Sequence, residues 1–261
     1  MRKQRCLEVF EQALHTEATS KAYLYQLKKF KEWTQLKEYS ALLEAPDKEL
    51  QIMLEDYVMA LKKRVSPNTV PIAFAPIELF YVMNDKNLNF KKIRKLFPEK
   101  VKKGNERGYT LDEIRSIIAN CTNSRQRAII LLLASSGVRI GAIPGMKIRH
   151  MTKINDSYAI KIYEDEKEED YVFTTPEASK AIERHHEDRR KNGEFITDES
   201  PLLRAEAKFK KQVSKPMSLD SLEHLTARLV KVVNRRMNTK TKRYDVAKNH
   251  GFRKFFATAV K

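Results

Sequence analysis

Apolar residues recur at helical spacing through the first hundred positions. Between Thr19 and Trp33 the residues Tyr23, Leu27 and Phe30 share one face, and Leu50, Leu54, Tyr57, Val58 and Leu61 repeat that stripe further on. Both stretches predict amphipathic helices. A third helix is expected after Ser66-Pro67-Asn68-Thr69, which carry capping chemistry, with Ile77, Phe80 and Tyr81 turned to a core. Pro71 and Pro76 predict a late start or a kink, and Asn84-Asp85 and Asn87 mark its end. The lysine-rich segment from Glu99 to Gly108 has no apolar period and predicts an exposed connector. The expected boundary lies near Gly104, dividing a helical domain over 1–104 from a second domain over 105–261.

The second domain opens on Thr110-Leu111-Asp112-Glu113, where Thr110 and Glu113 have capping-box spacing and Ile114, Ile117 and Ile118 supply a buried stripe. The almost wholly apolar run from Ile129 to Leu133 fits a buried helix or a buried strand, and its continuity with Arg125 to Ala128 favours the helix. Ser135-Ser136-Gly137 is a turn signal, and Arg139 follows it. An arginine beside so apolar a segment is costly to bury without an anion, whether a structural carboxylate or an external one. Further on, Tyr158, Ile160 and Ile162 alternate with Ala159, Lys161 and Tyr163, and Tyr171-Val172-Phe173-Thr174 can return as a partner strand. The turn between them holds Lys167 among six acids, from Glu164 to Asp170. It suits a solvated hairpin tip, and equally a positioned cation. The expected fold class is therefore mainly α, an α+β protein whose helical N-terminal domain is joined to a mostly helical second domain with a small antiparallel β-sheet or hairpin.

Charge narrows the partner. The chain of 261 residues carries a formal net charge of +17, which points to an extended polyanion, with nucleic acid first. The longest apolar run, Ala128 to Ala134, is too short to span a bilayer, and no secretory signal opens the chain. The two cysteines, Cys6 and Cys121, form no metal-like cluster, as expected for a reduced, cytoplasmic protein. From Lys86 to Arg107 nine Lys/Arg face two acids, and from Arg204 to Arg243 twelve face three. These runs favour DNA or RNA as the partner and nominate Lys91, Lys92, Arg94, Lys95, Lys102, Lys103, Arg235 and Arg236 as its contacts. His185-His186 sits among charged residues and reads as part of a solvated helix face, with no further ligands at metal spacing. Tyr23, Phe30 and Trp33 read as core rather than as base-stacking groups.

Near the C-terminal end, His250-Gly251-Phe252-Arg253-Lys254-Phe255-Phe256-Ala257-Thr258 puts a histidine and an arginine three residues apart on one helical face, within reach of a single phosphate. Together with Ser136-Gly137-Val138-Arg139-Ile140 and a hairpin lysine, in that order, it resembles the second box, the arginine box and the hairpin lysine of tyrosine recombinases, the phage-type integrases of mobile elements, including archaeal ones. The helical N-terminal domain is similar to the core-binding domain of that family.

The resemblance implies site-specific DNA cleavage and rejoining through a 3′-phosphotyrosyl bond, with no metal and no other cofactor. Arg139 and Arg253 would clamp the scissile phosphate, His250 would hydrogen-bond to it or assist proton transfer, and Lys167 would protonate the leaving 5′ oxygen, with Lys161 as the fallback. It also implies self-association on DNA. Three departures stand out. Ala142 occupies a position that is usually acidic, the hairpin is acidic where the family's is glycine-rich and basic, and no His, Trp or Tyr follows the second box. The expectation is a chain truncated before its nucleophile that binds DNA without cleaving it. The alternative expectation is a non-catalytic DNA-binding regulator on a recombinase-like scaffold.

Overall fold

The structure, a computed structural model, describes residues 5–101, 107–205, 214–238 and 243–259. Two compact units divide the backbone, Met1–Lys103 and Gly104–Lys261.

In the first unit, helices α1 (Arg5–Gln12), α2 (Glu17–Thr34), α3 (Asp47–Arg64), α4 (Val70–Met83) and α5 (Phe90–Lys95) enclose one core. The stripes read from the sequence are its walls. Leu27 and Phe30 of α2 and Leu50, Leu54, Tyr57, Val58 and Leu61 of α3 are all buried. Trp33, partly buried, stacks on Phe30 at 6.3 Å between ring centroids and lies 5.0 Å from the Tyr57 ring. Thr16 caps α2 by accepting from the Thr19 N–H at 3.2 Å. The third helix does not start late. A 3-10 turn over Pro67–Thr69 leads directly into α4, where Pro71 occupies the first turn, which needs no N–H donor there. Pro76 sits inside the helix and is itself buried. Asn84 ends α4 and ties it to α1, donating from Nδ2 to the Phe80 carbonyl at 2.8 Å and the Cys6 carbonyl at 3.1 Å.

The second unit contains α6 (Leu111–Ala119), α7 (Ser124–Ser136), strands β1 (Met151–Ile154), β2 (Ser157–Ile162) and β3 (Asp170–Phe173), α8 (Pro176–Lys191), α9 (Leu219–Leu229), the short strands β4 (Met237–Asn238) and β5 (Arg243–Tyr244), and α10 (His250–Ala259). The Thr110 capping box is complete, with both reciprocal bonds present. The ambiguous run 129–133 is helical. It forms the buried centre of α7, which packs on α8 and α10.

The hairpin is part of a larger sheet. β1 pairs antiparallel with β2, and β2 with β3, in the order β1-β2-β3, with Ile160 opposite Val172 and Lys161 opposite Tyr171. Tyr163 lies beyond β2 with a positive φ of 53°, so the alternation stops one residue short of the expected strand.

Two expectations are corrected. His185 and His186 are buried rather than solvated, because α8 turns that face onto the unit's interior, where His186 Nε2 lies 3.1 Å from the Leu202 carbonyl. The connector is also shorter than read. Arg107 donates to both carboxylate oxygens of Glu113 at 2.7 Å and to Asp245 at 3.2 Å, and a Cβ added at Gly108 would lie 2.7 Å from the Phe255 nitrogen. The segment 107–109 therefore belongs to the second unit.

Candidate active site

The arginine box is built on the way α7 ends. Gly137 takes the left-handed conformation, φ 60° and ψ 18°, as the helix C-cap, and its N–H bonds to the Leu133 carbonyl at 3.2 Å. This reversal buries Val138 and delivers Arg139, in extended conformation and exposed, to the start of a 3-10 turn over Ile140–Gly145. The burial cost that an arginine here would carry does not arise. Among the described residues, Arg139 forms no ion pair, and Ala142 is buried in the turn that follows.

Helix α10 brings the second box to the same place. Gly251 and Phe252 face inward, which leaves His250 and Arg253 on the exposed face. The decisive contact runs across 116 positions of sequence, where Arg253 Nη1 donates to the Gly137 carbonyl at 3.2 Å. One arginine is thus bonded to the turn that carries the other. Phe256 closes the joint, and a Cβ added at Gly137 would lie 2.5 Å from its Cδ1. Tyr109 secures the start of α10: its backbone N–H reaches the Gly251 carbonyl at 3.3 Å, its hydroxyl donates to the Lys248 carbonyl at 2.9 Å, and its ring lies 4.8 Å from Phe252.

The hairpin separates the two candidate lysines. Lys161 is paired with Glu169 at 3.2 Å, and the hydrogen bond with that carboxylate raises its pKa. Lys167 is exposed at the tip and pairs with none of the described residues. The tip acids are partly engaged within the unit. Glu169 holds Lys161, while Glu164 pairs with Arg149 and lies 3.0 Å from His150 Nε2. Because His150 Nδ1 accepts from the Lys147 N–H at 3.1 Å, the proton sits on Nε2 and is donated to Glu164.

The nominated DNA contacts differ in availability. On α5, Lys91 and Lys95 are exposed and unpaired among the described residues, whereas Lys92 reaches Glu55 at 2.7 Å and Arg94 pairs with Glu78. Lys102 and Lys103 lie outside the described residues. Arg235 stacks over the Tyr244 ring at 4.4 Å, and Arg236 is exposed beside Asp245, whose Oδ1 accepts its backbone N–H at 2.8 Å.

Sequence reasoning missed a buried charge cluster behind α8. Arg189, 1% exposed, donates to Glu194 at 2.7 Å, to the Pro201 carbonyl at 2.8 Å and to the Leu202 carbonyl at 3.2 Å. Beside it, burial pushes both imidazoles down, His185 to about 3 and His186 to about 4, so both are neutral near pH 7. No group of three or more metal-ligating side chains comes together among the described residues, and none of their helices is long and apolar enough to cross a membrane.

No protein-family model and no curated protein matches the chain. Solved structures do. The Tn1549 transposon integrase in complex with circular intermediate DNA superposes over 98% of this chain and 86% of its own, with a TM-score of 0.65 at 16% identity. A lambda integrase dimer bound to a COC′ core site matches 97% of this chain and 84% of its own, with a TM-score of 0.63 at 12% identity. The XerH site-specific recombinase bound to its difH substrate gives a TM-score of 0.56 at 15% identity, over 80% of this chain and 59% of its own. The chain has the integrase fold. Its neighbours are tyrosine recombinases and integrases, and within that fold the two arginines stand at the end of α7 and on α10.

Proposed function

We propose that the chain is a site-specific DNA recombinase or integrase of the tyrosine type, acting inside the cell on double-stranded DNA. The bond from Arg253 to the Gly137 carbonyl is the observation that carries this reading, since it couples two exposed arginines that have no described carboxylate partner. A phosphodiester under attack gathers negative charge on its non-bridging oxygens. Two guanidiniums, each charged at any working pH, donate to those oxygens from two sides, and His250 adds a third donor.

In the full reaction a tyrosine hydroxyl gives up its proton to solvent as its oxygen bonds to phosphorus and the bond to the 5′ oxygen breaks, and the leaving oxygen takes its proton from Lys167. The resulting phosphotyrosyl ester conserves the energy of the broken bond for rejoining. Within the 261 residues no tyrosine follows His250, and the nearest before it, Tyr244, lies under the Arg235 guanidinium. In this reading the described residues bind DNA and hold one phosphate. The complexes of similar proteins, among them a lambda integrase tetramer on a Holliday junction, support assembly of several copies on DNA.

Incubating the 261-residue chain with nicked duplexes drawn from a random-sequence pool tests the reading. Salt-sensitive binding is the expected result, and absence of duplex binding at low salt overturns the assignment.

A further inference from the structure

The turn that delivers His250 is gripped from a second side. Thr226 of α9 is fully buried, and its hydroxyl oxygen lies 2.9 Å from the Leu222 carbonyl, 3.1 Å from the Glu223 carbonyl and 2.8 Å from the side-chain oxygen position of Asn249, the residue immediately before His250. A threonine hydroxyl has one proton. Donated to Asn249, that proton would leave two backbone carbonyl oxygens close to an oxygen with no hydrogen between them. Donated back into α9, as buried threonines in helices do, it leaves Oγ1 as an acceptor. The Asn249 carboxamide must then present its Nδ2–H to Thr226, with its oxygen turned the opposite way. Amide orientation is decided by the hydrogen-bond network in this manner.

We infer that Asn249 is a positioning residue for His250, anchored through its amide N–H on the buried Thr226 hydroxyl. This rests on the reading of His250 as a phosphate ligand. Tyr109 holds the same turn at Lys248 and Gly251, so the backbone of residue 250 is fixed from both sides while its imidazole stays exposed. Removing the Thr226 hydroxyl leaves a half-buried amide without its acceptor and frees one side of the turn. His250 then samples orientations that miss the phosphate. The arginines are not attached to this anchor, since Arg253 is held by Gly137.

The test follows the His250 imidazole signals by NMR in the full chain, assigned with His250→Ala, during titration with inorganic phosphate at constant pH and ionic strength. The wild-type signals should shift with phosphate. In Thr226→Val and in Asn249→Ala the response should weaken, with phosphate affinity reduced about threefold or more, and Thr226→Ser should restore it. Thermal midpoints measured alongside separate this from general loosening, because a purely structural contact would lower the midpoint and leave the phosphate response of His250 intact. An unchanged response in a folded Thr226→Val or Asn249→Ala overturns the positioning role. If instead His250 in the wild type does not respond to phosphate while duplex binding persists, the phosphate-ligand reading fails first.

Discussion

Arg253 donates to the carbonyl of Gly137, two residues before Arg139, and this one bond joins the end of α7 to the exposed face of α10. The geometry is exacting on both sides. Gly137 must be left-handed to end the helix and must lack a Cβ to admit Phe256. The site therefore depends as much on a glycine as on its arginines.

Gly137→Ala should destabilise the second unit by about 2 kcal/mol or more, because it combines a left-handed alanine with a contact too short to keep. Urea unfolding followed by circular dichroism checks this. A midpoint equal to wild type would mean that the joint between α7 and Phe256 is looser than described.

Arg189→Ala should cost about 3–5 kcal/mol, since it strips Glu194 of its main partner inside the unit, leaves the Pro201 carbonyl without its described donor and leaves the Leu202 carbonyl to His186 alone. Arg189→Lys should not recover the loss, because an ammonium cannot reproduce the planar fork. Chemical denaturation of both variants is the measurement.

Stability should fall as the medium is acidified below neutrality. His185 and His186 have native pKa values of about 3 and about 4, against an ordinary value near 6.5 in the unfolded chain. Between those limits the unfolded state binds more protons, so the contribution is complete above about pH 6.5 and is lost as pH drops toward the native values. Glu194, held below its usual range by Arg189 against the desolvation that opposes it, adds to the loss at lower pH. Thermal midpoints at pH 7.5 and pH 5 should differ less in His185→Phe than in the wild type.

Not all of the basic residues should count equally toward DNA. Lys91→Ala and Lys95→Ala should each reduce the slope of log affinity against log salt by about 1, as free phosphate contacts do. Lys92→Ala should change it less, because its ammonium is engaged by Glu55. Fluorescence anisotropy across a salt series distinguishes the two groups.

Sequence pattern reached what local physics determines. The stripes of α2 and α3 and the capping box at Thr110 depend on residues within one or two turns, and they appear in the structure at the positions read. β1 was not legible because three of its four residues are exposed, which leaves no alternation to see. The histidines of α8 have charged sequence neighbours, and their burial is tertiary: α8 packs on α7, and His186 meets the Leu202 carbonyl 16 positions away. Arg107 has one local partner, Glu113, but its tie to Asp245 spans 138 positions and no local pattern shows it. Both boxes could be read as motifs, but the bond that couples them is purely tertiary.

The most direct test of the two-jawed clamp is a double-mutant cycle. Inorganic phosphate is titrated into the full chain carrying Arg139→Ala, Arg253→Ala, or both. Each single substitution should lower affinity about tenfold or more, and the double variant should lose far less than the product of the two, because two charge-assisted donors share one anion. Strictly independent losses, or losses no larger than that of Lys91→Ala, would contradict the claim that Arg139 and Arg253 hold the same phosphate.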